Sequence, residues 1–246
     1  MQSFETAYGT SPASLFQALL RPDKSKMSAA VQRTPGGKPA PGAGALLRFR
    51  NNQMIFNEGD EANYFYMVVS GRVRLCKMRY DGRRQIVDLM IPGDIFGFEY
   101  GTEHTFTAEA IGKTVLDSYS CRPIERLSEE RLDVRRDLMT MLHHNLSSVR
   151  NHMVLLGRET ARERVATFLA TLAIRFRITG RGVMDLGMGR RDIADYLGLA
   201  LETVCRELSG LRHAGLIEIL DHRRIAVLDM AALQSISEGL QQRRPG

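Results

Sequence analysis

The stretch from Arg190 to Asp229, RRDIADYLGLALETVCRELSGLRHAGLIEILDHRRIAVLD, limits the fold of this 246-residue chain more than any other. Two short segments with apolar residues three and four apart flank Gly198, which is the length and spacing of a helix-turn-helix. In the first segment Ile193, Ala194 and Leu197 form a narrow inner face, small Ala194 lets a second helix approach, and Gly198 supplies a permissive turn. In the second, Val204, Leu208 and Leu211 share one side. A helix advances about 100° per residue, so Glu202, Arg206 and Ser209 fall on the opposite side, away from the core. Gly215 closes this helix. Ile217 and Ile219, then Ile225 and Val227, alternate around the polar turn Asp221-His222-Arg223-Arg224, the pattern of a hairpin with a basic tip. Helix, turn, helix and hairpin together describe a winged DNA-binding domain whose outer face meets a major groove.

The chemistry of that face has two readings. Arg206 can offer paired donors to guanine O6 and N7, while Glu202 can accept from an amino group such as that of cytosine. Alternatively the two residues, four apart with the acid first, form a solvent-exposed intrahelical ion pair worth roughly 0.2–0.5 kcal/mol. The basic-tipped hairpin that follows weighs toward the first.

The chain is long enough for two domains, each with its own core. Its net charge of +6 leans toward an anionic partner such as double-stranded DNA. Nothing in the sequence approaches the roughly 18 apolar residues of a membrane span, and the N-terminus lacks the pattern of a secretory signal, so a cytoplasmic protein with no membrane partner is expected. Cys76, Cys121 and Cys205 are far apart and match no zinc-finger spacing. Three cysteines are too few for a four-cysteine iron–sulfur cluster, and disulfides are not expected in this compartment. With no nucleophile-base set, phosphate loop or metal-ligand spacing, the expectation is no enzyme, no catalytic residue, no metal and no cofactor.

Residues 1–44 are rich in Ser, Ala, Gly, Pro and Lys and are expected to be a flexible extension, with one short amphipathic piece at Leu15 to Leu20. From residue 45 the pattern changes. Gly59-Asp60, Ser70-Gly71, Asp81-Gly82 and Pro92-Gly93-Asp94 punctuate the segments MIF, YFYMVV, RVRLCKM and RQIVDLMI, followed by TAEAI and TVLDSYS. These predict several short antiparallel strands in a jelly roll or small barrel over 45–122. After Pro123 the pattern turns helical, and Met139, Leu142, Leu146, Val149, Met153 and Leu156 follow a-and-d spacing. That row fits a helix packed on its own domain or a dimer interface. A symmetric DNA reader needs a partner to set two recognition helices about 34 Å apart, which favours a homodimer through 123–157. Gly157 interrupts the row as a hinge or a simple helix break, Ala161 to Phe176 form another amphipathic helix, the DNA-binding domain occupies 158–236, and 237–246 are a tail.

The segments NEGDEANYFYMVVSGRVRL, IPGDIFG, ETARERVATFLATLA and RRDIADYLGLALETVCREL resemble the CRP/FNR superfamily of bacterial transcription regulators over about residues 46–230, and look closest to its FixK-type branch. The resemblance implies an α+β architecture: an N-terminal antiparallel β-roll that is cupin-like and cyclic-nucleotide-binding-domain-like, a long dimerisation helix and a C-terminal winged helix-turn-helix. It also implies an activator that works with RNA polymerase in low-oxygen, nitrogen-fixation or denitrification control, on a palindrome of the TTGAT-N4-ATCAA kind. The E-x-x-x-R pair maps to Glu202 and Arg206 as base readers. Leu201 stands where cyclic-AMP-dependent members carry arginine and can meet a thymine methyl. Cys205, where relatives often have serine or glycine, flanks Arg206, so its oxidation would put charge or bulk at the DNA surface. Alternatively its thiol only fills space. Arg190, Thr203 and Ser209 are assigned to phosphates.

In cyclic-nucleotide-binding members the roll holds ribose with a glycine-glutamate turn and phosphate with an arginine followed by serine or threonine. Here those positions carry Gly97-Phe98-Glu99 and Phe106-Thr107, and phenylalanine cannot neutralise a phosphate. Residues 1–45 lack the cysteines of the iron–sulfur members. The resemblance therefore implies a roll that keeps its scaffold and takes no effector, with an unrecognised ligand, or haem on His104, as the alternative. His104 is expected in a solvated loop, and His143, His144 and His152 at the helix surface or interface.

Overall fold

The computed structural model describes residues 45–99, 101–158, 160–178 and 181–239. The expected extension 1–44, with its Leu15 to Leu20 piece, and most of the tail 237–246 lie outside them. The described residues form two compact units that part between Ser148 and Val149.

The first unit is an antiparallel roll of six strands: β1 (Ala45–Phe49), β2 (Met54–Phe56), β3 (Tyr64–Met78), β4 (Arg84–Met90), β5 (Ile95–Phe96) and β6 (Thr107–Ser120). The main order is β1-β6-β3-β4, with β2 added to β6 and β5 to β3. Two expected breaks are absent. YFYMVV and RVRLCKM are one strand, β3, and TAEAI and TVLDSYS are one strand, β6. Ser70-Gly71 is a bulge rather than a reversal, because the register against β6 shifts at Val68/Ser70 and Ser70/Arg72 while pairing continues on both sides. Gly71 has φ +82°, and a Cβ there would lie 2.5 Å from the Lys113 carbonyl oxygen and 2.6 Å from Thr114 Cα. Buried Thr114 fastens the bulge by donating its hydroxyl to the Arg72 carbonyl at 3.0 Å.

Inside the roll, Phe49, Phe56, Tyr66, Val68, Val73, Phe96 and Leu116 pack together. A second cluster joins Phe65, Met67, Ile95, Tyr119 and Cys121 to Val134, Leu138 and Met141. These last three, four and three apart, are the inner face of a helix, and each fully buried large side chain contributes roughly 1.5–3 kcal/mol. The stretch after residue 120 is two helices where one was expected: α1 (Cys121–Glu130), with Pro123 in its first turn, and α2 (Leu132–Leu156). Arg135 accounts for the break at Arg131, since its guanidinium donates to the last carbonyls of α1, at Ser128 and Glu129.

The second unit takes the last two turns of α2, then α3 (Ala161–Arg175), β7 (Val183–Asp185), α4 (Arg190–Leu197), α5 (Leu201–His213), β8 (Ile217–Ile219), β9 (Arg224–Val227) and α6 (Met230–Ser237). Thr160 starts α3 with a capping box: its hydroxyl accepts from the Glu163 N–H at 3.1 Å while the Glu163 carboxylate accepts from the Thr160 N–H at 3.2 Å. The expected two-stranded hairpin is a three-stranded sheet of order β7-β9-β8, because β7 supplies a further edge.

Candidate nucleic-acid interface

The helix pair forms where its apolar spacing places it. Ile193, Ala194 and Leu197 of α4 and Val204, Leu208 and Leu211 of α5 are buried. Gly198 ends α4 in the left-handed region at φ 63°, ψ 36°, and its N–H donates to the Ala194 carbonyl, which turns the chain sharply toward α5.

On α5, Leu201 is the first residue and is half-buried, as are Thr203, Cys205 and Ser209, while Glu202 and Arg206 are exposed. Among the described residues no ion pair joins Glu202 to Arg206. The partner of Arg206 is its neighbour Glu207, whose carboxylate accepts from Nε at 3.2 Å while the arginine side chain stays 71% exposed. Glu207 carries no marker in the E-x-x-x-R pattern, and its role follows only from the side-chain geometry. The Ser209 carbonyl takes a bond from His213 Nδ1 at 2.7 Å. Arg190 is the first residue of α4, at the helix end that attracts anions.

The sheet ends in a tight turn. Asp221 accepts from the Arg223 and Arg224 N–H groups at 2.7 and 2.8 Å and from Arg224 Nε at 2.6 Å, which holds its carboxyl down to about 2. His222 and Arg223 are left exposed at the tip. The sequence marks this aspartate as a turn residue; its clamp on Arg224 needs the fold.

Of the three cysteines, Cys76 and Cys121 are buried and Cys205 is partly exposed, and none is in a disulfide. Along α2, Met139, Leu142, Leu146, Val149 and Met153 are all exposed, and Leu156 is half-buried. His143 is exposed, whereas His152 is buried, contrary to expectation.

In the roll, His104 is also not where a loop reading puts it. It is 3% exposed and stacks on Phe56 with ring centroids 3.6 Å apart. Burial lowers its pKa, against an opposing pull from Glu99 and Asp60, and among the described residues Nδ1 has no hydrogen-bond partner. Phe56, Tyr66 and Phe96 stand in mutual contact beside it. The residues at the ribose and phosphate positions are engaged within the chain. Glu99 accepts from the Thr105 hydroxyl at 3.1 Å, Thr107 Oγ1 accepts from the Glu58 N–H at 3.1 Å, and Lys77 Nζ lies 5.6 Å from the Phe106 ring centre. Among the described residues no group of His, Cys, Asp and Glu is arranged to hold a metal ion, and no helix is long and apolar enough to cross a membrane.

Comparison with known proteins agrees with this division. Residues 163–236 match a Crp-like helix-turn-helix domain, and residues 46–129 match a cyclic nucleotide-binding domain. The nitrogen fixation regulation protein FixK of Bradyrhizobium diazoefficiens is 40% identical over 198 residues, covering 79% of this chain and 82% of that protein. FixK of Rhizobium meliloti is 35% identical over 218 residues, 85% of this chain and 99% of the relative. The structure of FixK2 from Bradyrhizobium japonicum superposes with a TM-score of 0.73 at 41% identity, over 79% of this chain and 97% of that one.

Proposed function

The chain belongs to the CRP/FNR family of transcription regulators, and from that membership we propose that two copies of it read a DNA palindrome of the TTGAT-N4-ATCAA kind. The observation that carries this reading is the outward face of α5, where Glu202 and Arg206 stand exposed and Glu207 holds the guanidinium by one edge only. Arg206 donates to guanine and Glu202 accepts at its pairing partner or a neighbour. Leu201 and Cys205 lie against adjoining bases, and Arg190, Thr203 and Ser209 fix the register on phosphates. The exposed row Met139, Leu142, Leu146, Val149 and Met153, continued by Leu156, is the dimer seam of the helical segment 123–157, and the domain at 158–236 is the reading head.

The regulator is an activator in the cytoplasm that works with RNA polymerase and catalyses no reaction. The names of its relatives point to nitrogen fixation and anaerobic control. It acts without a small-molecule effector: the roll at 45–122 is a scaffold, as the internal bonds of Glu99 and Thr107 and the aromatic packing around His104 favour. Cys205 adds an oxidation input, since it is the partly exposed thiol and sits next to Arg206.

The test is selection from a random DNA pool by the full-length protein, with and without peroxide. Enrichment of a symmetric site that peroxide weakens in the wild type and not in Cys205→Ser is the expected result. Enrichment of asymmetric DNA alone contradicts the dimer, and equal losses in both proteins contradict the oxidation input.

A further inference from the structure

The two compact units part within α2, so its last two turns, from Val149, belong with the reading head. Those turns carry two kinds of side chain. Val149 and Met153 are exposed, and His152 and Leu155 are buried. His152 makes a two-point attachment to α4: its Nε2 lies 2.9 Å from the Tyr196 carbonyl oxygen, and its ring stacks on the Tyr196 ring at 4.1 Å with 9° between planes. A carbonyl only accepts, so Nε2 carries the proton and donates. The carbonyl lies in the last turn of α4, where helix carbonyls have run out of intrahelical donors. Tyr196 is backed in turn by Phe168 of α3, ring centres 5.5 Å apart. One turn further along α2, Leu156 reaches within 3.9 Å of where a Cβ on Gly198 would stand.

An apolar contact such as that of Leu155 supplies burial without direction. A hydrogen bond together with a ring stack fixes angle as well as distance, because a rotation of α4 that kept one would break the other. We propose that His152, acting through Tyr196, is the positioning residue that fixes the interval between the two recognition helices, and with it the spacer length that the protein accepts between half-sites. It joins the head to the same two turns whose neighbouring residues Val149 and Met153 lie on the seam. This inference rests on the dimeric, palindrome-reading function proposed above.

The experiment measures affinity of the full-length protein for operators with three, four or five base pairs between half-sites, and for the four-base-pair operator with the half-site guanine replaced. The wild type prefers one spacer by roughly thirtyfold. In His152→Phe, which keeps a ring and loses the donor, and in Tyr196→Ala, which loses the ring, that ratio falls below about fivefold while the guanine penalty stays unchanged. Tyr196→Phe keeps ring and carbonyl and keeps the ratio. If His152→Phe does not fold, His152→Gln, with a donor and no ring, makes the same comparison. A preserved ratio in the folded variants overturns the inference, and so does equal weakening at every spacer, which is what a merely structural histidine gives. A wild type that selects no symmetric DNA overturns the functional reading, and this inference falls with it.

Discussion

Arg74 in the roll and Arg206 on α5 are the same side chain in opposite employment. Arg74 is 5% exposed, with Nε 2.8 Å from a Glu109 carboxylate oxygen and a terminal nitrogen 3.0 Å from Asn52 Oδ1. Arg206 touches Glu207 and shows most of its surface to solvent. In the roll Thr114, Arg74 and Thr107 hold bulges and strands together. The reading head also buries polar groups, among them His152, Glu163 and Thr167, yet keeps Arg206 of α5 and Arg223 of the turn at its surface. A domain that binds a polyanion has to present charge, and one that serves as scaffold gains more from satisfying it.

The sharpest way to break this contrast is through two glycines. Gly71→Ala should cost more than about 4 kcal/mol and prevent the roll from folding, because the new methyl meets backbone at 2.5 Å. Gly198→Ala meets no close atom and should cost about 1–2 kcal/mol for its left-handed backbone alone. Thermal unfolding of both proteins checks the order, and similar losses would show that the bulge tolerates movement.

Next come the arginines. Arg74→Met leaves Glu109 with Arg84, 3.6 Å away, and should cost about 3 kcal/mol of stability without altering sequence preference on DNA. Arg206→Ala should leave stability within about 0.5 kcal/mol and cost about 1–3 kcal/mol per half-site on cognate DNA. Arg190→Ala should weaken all DNA more evenly and flatten the salt dependence. Denaturant titration and DNA affinity, measured on the same samples, separate the two effects.

A charge on the exposed row tests what lies between the regions. Leu146→Glu or Val149→Glu should give monomers by sedimentation, with operator affinity down about a hundredfold or more. A dimer that survives both places the seam elsewhere.

The smallest effect is in pH. Burial lowers the pKa of His104 below the ordinary 6.5, so the folded roll binds fewer protons than the unfolded chain as pH falls. The stability it protects is present above pH 6.5 and is lost as pH drops through and below that value. His104→Phe should flatten that slope in denaturant titrations between pH 7.5 and about 5, and an unchanged slope would mean that the ring does not titrate with folding.

The two regions also differ in how far the sequence exposes them. The helix pair is legible almost to the residue, because a 3.6-residue period is local and Gly198 marks the turn. The roll is legible in class but not in strand count. Ser70-Gly71 carries the same local signal whether the chain reverses or bulges, and only pairing with β6, more than 35 residues away, decides. β7 is three residues with no alternation to mark it. Glu202, Arg206 and Ser209 were legible as a face. The hold of Glu207 on Arg206 and the burial of His104 and His152 depend on contacts that no spacing announces.

The most direct measurement of the central claim is a double-mutant cycle between Arg206→Ala and replacement of the half-site guanine in both arms of the operator. Base reading by Arg206 predicts that either change alone costs about 1–3 kcal/mol per half-site and that the second adds almost nothing. Additive losses would contradict the assignment of Arg206 to that base.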